Sequence, residues 1–505
     1  MTKEAAGGRP ADLPQRSEAR APAAQRPAHL AVPAPAMRRT RARAPGAPFA
    51  AAAARLALLA LLAARAAAQF GGADVPPEVA VRWSALDPKK WSYAKLDASM
   101  PMLKPPPGFK VDIYYKGGLI DNARSLAVSG NSKFPGGPII VYVSSKLAKK
   151  VYALVDFNGD GTADRMTVIA RGLDKPQGMD WHKGDLFVSG WQEALGVIWR
   201  LKNIDKYALE DKSYPVPPPD VVSRYLPTDR WHGERYMRFG PDGLLYVSIG
   251  APCDVCLETK NAKGLVYSSI YTLNVSRGDG GWDLYARGLR NVVGMDWHPD
   301  TKELYFTENG RDNMGDNKPE CELNRAEKRG LFFGFPQCHT EAGGDPHLRP
   351  VGPGFTLPDP KFNKDNSAMN CKDQKTYRRP LQALGPHIAP LGMRFYKWEQ
   401  GKSWPREYDR TILIAEHGSV DRTSKIGYRL ALVKIDGAAS KAPRAVEHKE
   451  VVTGWLQGGK YAPKASQLTW GRPADVQQLP DGSLLISDDG GHTVYRMHYV
   501  GGQQG

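Results

Sequence analysis

Histidine, arginine and amide side chains recur at one kind of place in this chain of 505 residues, just before the first or just after the second of a series of short apolar runs. They are Arg124; Gln177; His232 and Arg235; Arg290 and Asn291; Asn309, Gly310, Arg311 and Asp312; His417 and Arg422; and Arg472. Arginine presents a planar fork of donors that meets a carboxylate two bonds at a time, so the set suits a planar, multiply anionic ligand. His232 stands in Trp231-His232-Gly233-Glu234-Arg235, and histidine is the side chain suited to taking a hydroxyl proton near neutrality. Gly310 and Arg311 can offer backbone carbonyls to a hard cation such as Ca²⁺, which prefers clustered oxygens. The run Asp156-Phe-Asn158-Gly-Asp160-Gly161-Thr-Ala-Asp164 sets oxygen ligands at alternate positions around a turn glycine. That is a calcium-loop pattern without the bidentate Glu that ends an EF-hand loop. Each feature has a structural alternative: arginines that bridge neighbouring strands or lie solvated, a histidine held in a core, an Asx-rich hairpin turn.

Such residues need a scaffold that collects them, and the apolar runs supply one. From Arg287 to Asp316 the chain reads as a loop carrying Arg290 and Asn291, an apolar run Val292 to Trp297, and a turn at Pro299 and Asp300. An alternating strand around Leu304 and Phe306 and a polar loop Glu308 to Asp316 complete it. The same order recurs with first strands at Ser125 to Val128, Gly178 to Trp181, Tyr236 to Phe239, Leu391 to Tyr396 and Ala474 to Val476. No copy can bury both of its faces alone, so six copies predict a closed radial array, an all-β six-bladed β-propeller over residues 108–501. The strand Phe109 to Tyr115 is placed to pair with the last blade and close the ring, and Asp205 to Lys212 is the best of few helical patterns. Loops at the ends of successive blades then carry the functional groups to one face.

Residues 1–68 read as leader, with eleven Lys or Arg against three Asp or Glu, about half of the net charge of +16. The rest is an ordinary solvated surface, which argues against nucleic-acid binding. From Met37 a basic start, an apolar run Leu56 to Ala64 and Ala66-Ala67-Ala68 before Gln69 have the layout of a secretory signal, with translation starting at Met37. An organellar transit peptide is the competing reading. The apolar run is too short to span a bilayer, no later one approaches that length, and residues 69–107 form an N-terminal extension. Five cysteines fit export, as disulfides Cys253–Cys256 and Cys338–Cys371 with Cys321 free.

The motifs, taken in chain order, carry a resemblance. His232 ahead of RFGPDGLLYVSIG, GLRN at Gly288 to Asn291, TENGRDNMGD from Thr307 and ELN at Glu322 to Asn324 are followed by GFP at Gly334 to Pro336, AEHGS at Ala415 to Ser419 and GRPADV at Gly471 to Val476. The chain resembles the quinoprotein glucose/sorbosone dehydrogenase family, secreted six-bladed propellers that bind pyrroloquinoline quinone (PQQ), and within it the sorbosone and pyranose dehydrogenase branch. The resemblance implies that His232 takes the proton from a sugar's anomeric hydroxyl while hydride passes to the quinone C5. It implies that Arg290 and Asn291 hold the cofactor, that the Gly310 and Arg311 carbonyls bind Ca²⁺, and that Arg472 lies at the quinone's edge. Blade geometry and a looser match add Arg124, Asn309, His417 and Arg422 to the cofactor set. Two departures stand out: Trp231 replaces an acidic residue before the base, leaving its orientation to a partner such as Asp229 or Glu234, and no lysine matches the family's quinone-contacting lysine. The long Gly/Pro-rich segment from His339 to His387 reshapes the mouth. The expectation is a secreted dehydrogenase oxidising an aldose or sugar aldehyde at C1 and passing electrons to an external acceptor. The alternative is a non-catalytic binding module like the hedgehog-interacting proteins.

Overall fold

Six blades make up a β-propeller, five of four antiparallel strands and the third with a fifth strand, Leu331–Phe332, paired parallel to Trp282–Arg287. The computed structural model describes residues 91–501 apart from 212–217, 230, 234, 402–403, 439 and 441. The leader, its cleavage point, the extension before residue 91 and Glu234 lie outside the described residues. Innermost strands, in chain order, are Ala123–Val128, Met179–His182, Met237–Phe239, Val292–Trp297, Pro390–Phe395 and Pro473–Gln478. The sixth blade takes its outer strand from the beginning of the domain: Phe109–Ile113 pairs antiparallel with Thr493–Tyr499, from Phe109 opposite Tyr499 to Ile113 opposite Tyr495. Among the described residues no helix is long and apolar enough to cross a membrane. The helical pattern near Asp205 is a short helix, Ile204–Leu209.

The second strands are rich in apolar residues and buried on both faces, because neighbouring blades cover them. All five residues of Leu245–Ile249, Leu304–Glu308 and Ile412–Glu416 are buried. The inner strands approach so closely that only glycine fits at some contacts. A Cβ on Gly178 would lie 2.1 Å from the Arg235 carbonyl oxygen, and one on Gly294 would lie 2.1 Å from that of Leu391.

Alternate blades carry one repeated device. Asp180, Asp296 and Asp475, on the second, fourth and sixth inner strands, each accept from the next residue's N–H and from an N–H of the following blade. Those cross-blade donors are Phe239 at 2.8 Å, Phe395 at 2.9 Å and Leu126 at 3.0 Å. Arg238 pairs with Asp296 at 2.8 Å. Arg394 donates to Tyr236 Oη at 2.7 Å and to Gln477 Oε1 at 3.0 Å, and this network plugs the axis. Burial raises the Asp180 and Asp475 carboxyls, and arginine charges oppose it, Arg238 foremost at Asp180 and Arg394 at Asp475. The plug is the floor on which the strand-end loops stand.

Candidate active site

His232 sits in the left-handed region, with φ of 44°. Backbone held in a sparsely populated region persists where the surroundings over-determine it, and such residues gather at functional sites. Its Nδ1 lies 2.7 Å from the Ala251 carbonyl oxygen. A carbonyl only accepts, so Nδ1 carries the hydrogen and Nε2 keeps the lone pair that a base needs. The orienting partner is thus a backbone carbonyl, not Asp229, whose carboxylate accepts from the Tyr267 hydroxyl. Arg235 donates to the His232 carbonyl, and the Trp231 ring meets the imidazole edge-on at 5.9 Å between centroids. A Cβ on Gly250 would lie 2.6 Å from His232 Cβ and 3.0 Å from Asn291 Oδ1. The absence of a side chain at Gly250 therefore lets the expected base and an expected cofactor contact share one spot.

Arg290 is buried beside them and firmly held. Its Nε donates to the Asp254 carbonyl and its Nη2 to Asp254 Oδ1, both at 2.8 Å, and Nη2 also reaches Asp312 Oδ2 at 3.0 Å. Burial alone would raise the Asp254 carboxyl, but Arg290 and the Asp312 N–H hold it below its ordinary value. The Arg290 N–H donates to Glu308 Oε1 at 2.6 Å. Glu308 is paired in register with Glu322, and Asn324 Nδ2 donates to both. Burial, reinforced by Glu322, pushes the Glu308 carboxyl well up. Asn309 Nδ2 donates to the Asn291 and Pro390 carbonyls, which joins this half of the site to the fifth blade.

The other half centres on a residue that the motifs did not reveal. Asp489 Oδ2 accepts from Arg124 Nη1 at 2.6 Å, and its Oδ1 lies 2.7 Å from His417 Nε2. Burial and then Arg472 push the His417 imidazole down to about 4. It is therefore neutral at pH 7, with its hydrogen on Nε2 toward Asp489. Burial would raise the Asp489 carboxyl, but His417 and Arg124 hold it well below its ordinary value. Arg472 donates to the carbonyls of His417 at 3.0 Å and Gly418 at 2.8 Å. Asp489 and Asp254 follow the second strands of the sixth and third blades, the kind of place that singled out the cations. The same rule applied to acids would have found both.

Other expected residues are placed differently. Arg422 ties its own loop to the one that follows the second strand of the fourth blade, donating to the Asp316 carbonyl and, at 2.9 Å, to that of Ser424. The Arg311 side chain turns to Asp359 at 2.8 Å, in the long insertion of the fourth blade, and Gly310 packs against the Glu320 carbonyl. The loop Asp156 to Asp164 is closed by its own turns. Asp156 accepts from the N–H groups of Gly159 and Gly161, and Asp160 accepts from Thr162. Asn158 Nδ2 donates to Asp160 Oδ2 at 3.1 Å. One nitrogen of His387 and one oxygen each of Asp312 and Asp421 converge, within 4.8 Å of one another. Cys253 is joined to Cys256 and Cys338 to Cys371, and Cys321 is buried, its thiol pushed up to about 12 by burial.

The donor set fits an anionic quinone. A small axial cavity above the plug is lined by Arg124, Gln177, Tyr236 and Asp475. Gln177 Nε2, buried there, has no hydrogen-bond partner among the described residues. Arg124 lines this cavity and Arg290 a second one with Asn309, Gly310 and Arg311, each arginine held by carboxylates, Asp489 for the first and Asp254 and Asp312 for the second.

A family model described as TrAA12-like matches residues 237–499. An uncharacterised protein of Borreliella burgdorferi is 29% identical over 401 residues, which span 79% of this chain and 91% of that protein. Among solved structures, the holo form of the PQQ domain of pyranose dehydrogenase from Coprinopsis cinerea is similar with a TM-score of 0.61 at 17% identity, over 78% of this chain and 96% of that one. The calcium structure of Trichoderma reesei Carbohydrate-Active Enzymes Family AA12 gives a TM-score of 0.60 at 16% identity, over 79% of this chain and 97% of that one. At these identities the structural likeness is one of fold.

Proposed function

The chain belongs to the TrAA12-like family, the PQQ-dependent pyranose dehydrogenase family that its motifs resemble, and from that premise we propose that it is an exported dehydrogenase oxidising an aldose or sugar aldehyde at C1. The observation that carries the proposal is the meeting of His232 and Asn291 over Gly250, with His232 Nδ1 bound to Ala251. Arg290, Asn291 and Asn309 on one side, and Arg124, His417 and Arg472 on the other, would hold the cofactor. The Gly310 and Arg311 carbonyls would hold Ca²⁺. When bound, the quinone supplies the two-electron acceptor and the metal the Lewis acid.

The protein's own part is then specific. His232 Nε2 accepts the proton of the sugar's anomeric hydroxyl, and the Ala251 carbonyl stabilises the imidazolium through the Nδ1 hydrogen bond. Arg290, fixed by Asp254 and Asp312, offers charge at a set place rather than a side chain that must be ordered on binding. The plug formed by Tyr236, Arg394 and Asp475 closes the axis to water from below. An external acceptor removes the electrons. Two disulfides support export through the segment from Met37 to Ala68.

The test is reconstitution. Purified protein with PQQ and Ca²⁺ should form a complex at micromolar quinone and reduce a dye when an aldose is added. A protein that binds no quinone under these conditions is not this enzyme. A panel of sugars run on the complex identifies the substrate.

A further inference from the structure

The short disulfide lies between the two halves of the chemistry. Ala251, two residues before Cys253, accepts from His232 Nδ1 through its carbonyl at 2.7 Å. The Ala251 N–H donates to the Arg290 carbonyl at 2.8 Å. Asp254, inside the bridge, receives two hydrogen bonds from the Arg290 guanidinium and one from the Asp312 N–H, each at 2.8 Å. One loop of a few residues therefore touches the expected base, the expected cofactor arginine and the loop that carries the expected metal carbonyls. It is pinned by a bridge between residues three apart.

A bridge this short adds little to global stability, because the chain entropy removed from the unfolded state grows with the length of loop closed. The Cys338–Cys371 bridge, with a sequence separation of 33, is the one suited to that task. The Arg290 side chain is 5% exposed and that of Asp254 17%, so the contact between them is partly sheltered from competing water. Without the bridge only the hydrogen bonds from Arg290 and the Asp312 N–H would hold Asp254 against Arg290.

We infer that the Cys253–Cys256 bridge is a positioning element for the active site, holding Asp254 as the residue that aims Arg290 and Ala251 as the residue that fixes the His232 tautomer. The inference deepens the proposed function and names Asp254 as its positioning residue. It predicts that the two disulfides have separable jobs. Replacing both Cys253 and Cys256 by Ser should weaken PQQ binding at least tenfold, read by tryptophan fluorescence without turnover, while the melting temperature moves little. Replacing both Cys338 and Cys371 by Ser should lower the melting temperature and leave PQQ affinity near that of the native protein.

Asp254→Asn, which keeps an acceptor oxygen but loses the charge, should fall between the native protein and Asp254→Ala in PQQ affinity. A second readout needs no cofactor. The ¹⁵N shifts of the His232 imidazole should report a fixed Nδ1–H tautomer in the native protein and a tautomer mixture in the C253S/C256S variant. Native PQQ affinity together with an unchanged His232 tautomer in that variant overturns the inference. If the native protein itself binds no PQQ, the proposed function falls, and the tautomer measurement still decides the role of the bridge.

Discussion

Two histidines at one face of the propeller are prepared for different work by the atoms beside them. His232 gives Nδ1–H to a backbone carbonyl, which leaves Nε2 basic. His417 gives Nε2–H to the Asp489 carboxylate and is held neutral under two arginine charges. The His417 environment has a consequence for stability. The unfolded chain takes up a proton near the ordinary value of 6.5, and the folded one near 4. Between those values the unfolded state binds a proton that the native state does not. This contribution is therefore complete above about pH 6.5, declines as pH falls, and is exhausted below about pH 4. It is worth about 3 kcal/mol at one proton per 1.36 kcal/mol per unit. His417→Gln should flatten the dependence of the denaturation midpoint on pH across that window, and an unchanged slope would assign the effect elsewhere. In the sequence the cations at these places were legible by type and position. Of their carboxylate partners Asp312 was legible with them, while Asp489 and Asp254 were missed because the positional rule was applied to cations and amides and not to acids.

At the scale of the element, the blades are joined by single buried aspartates. Asp296 accepts from its own strand through Trp297 and from the fifth blade through Phe395, and it pairs with Arg238 of the third. Asp296→Ala would leave two buried N–H groups and a guanidinium without a partner, at a cost of about 3 kcal/mol or more. Denaturant titration should show that loss, while PQQ affinity, set by the loops above, stays within about twofold; a change under 1 kcal/mol would show that the bridge does not join the blades.

The first two strands of each blade were readable as apolar runs broken by turns such as Pro241-Asp242-Gly243 and Pro480-Asp481-Gly482, whereas the third strand of the fourth blade, Glu320–Ala326, is too polar to read that way. Most outer strands were not readable either. Arg165–Arg171, Asp220–Leu226 and Arg444–Val452 are half-buried and irregular in pattern, since one face meets solvent. The outer strand of the fourth blade, Gln382–Pro386, is buried but ends in Gly and Pro and arrives only after the long insertion. In the Asp156 loop the spacing read as a ligand pattern also makes a set of turn hydrogen bonds, to Asp156 from Gly159 and Gly161 and to Asp160 from Thr162.

For the molecule as a whole, the ring is closed by a strand that is first in the domain and lies beside its last. Phe109 anchors it, with its ring edge-on to Trp404 at 4.9 Å, Tyr408 at 5.3 Å and Tyr499 at 5.1 Å. Truncating it to Ala removes the transfer energy of the ring and leaves a cavity, about 3–5 kcal/mol for a buried phenylalanine. Thermal unfolding of Phe109→Ala should therefore shift down by several degrees. An unchanged transition would mean that the closing strand contributes little. The count of six repeats and the early strand made this architecture legible from the sequence. The Asp–Arg plug of the axis was hidden, because its members lie inside strands that read as apolar.

Whether His232 acts as base toward a sugar beside a bound quinone is decided by a single-turnover experiment. Native protein and His232→Ala, each loaded with PQQ and Ca²⁺, are mixed with an aldose, and the quinone absorbance is followed. Rapid, sugar-dependent reduction is expected in the native protein, and in the variant quinone binding within about threefold of native but reduction slowed by at least about 10²-fold. Reduction of the variant at the native rate would contradict that role for His232.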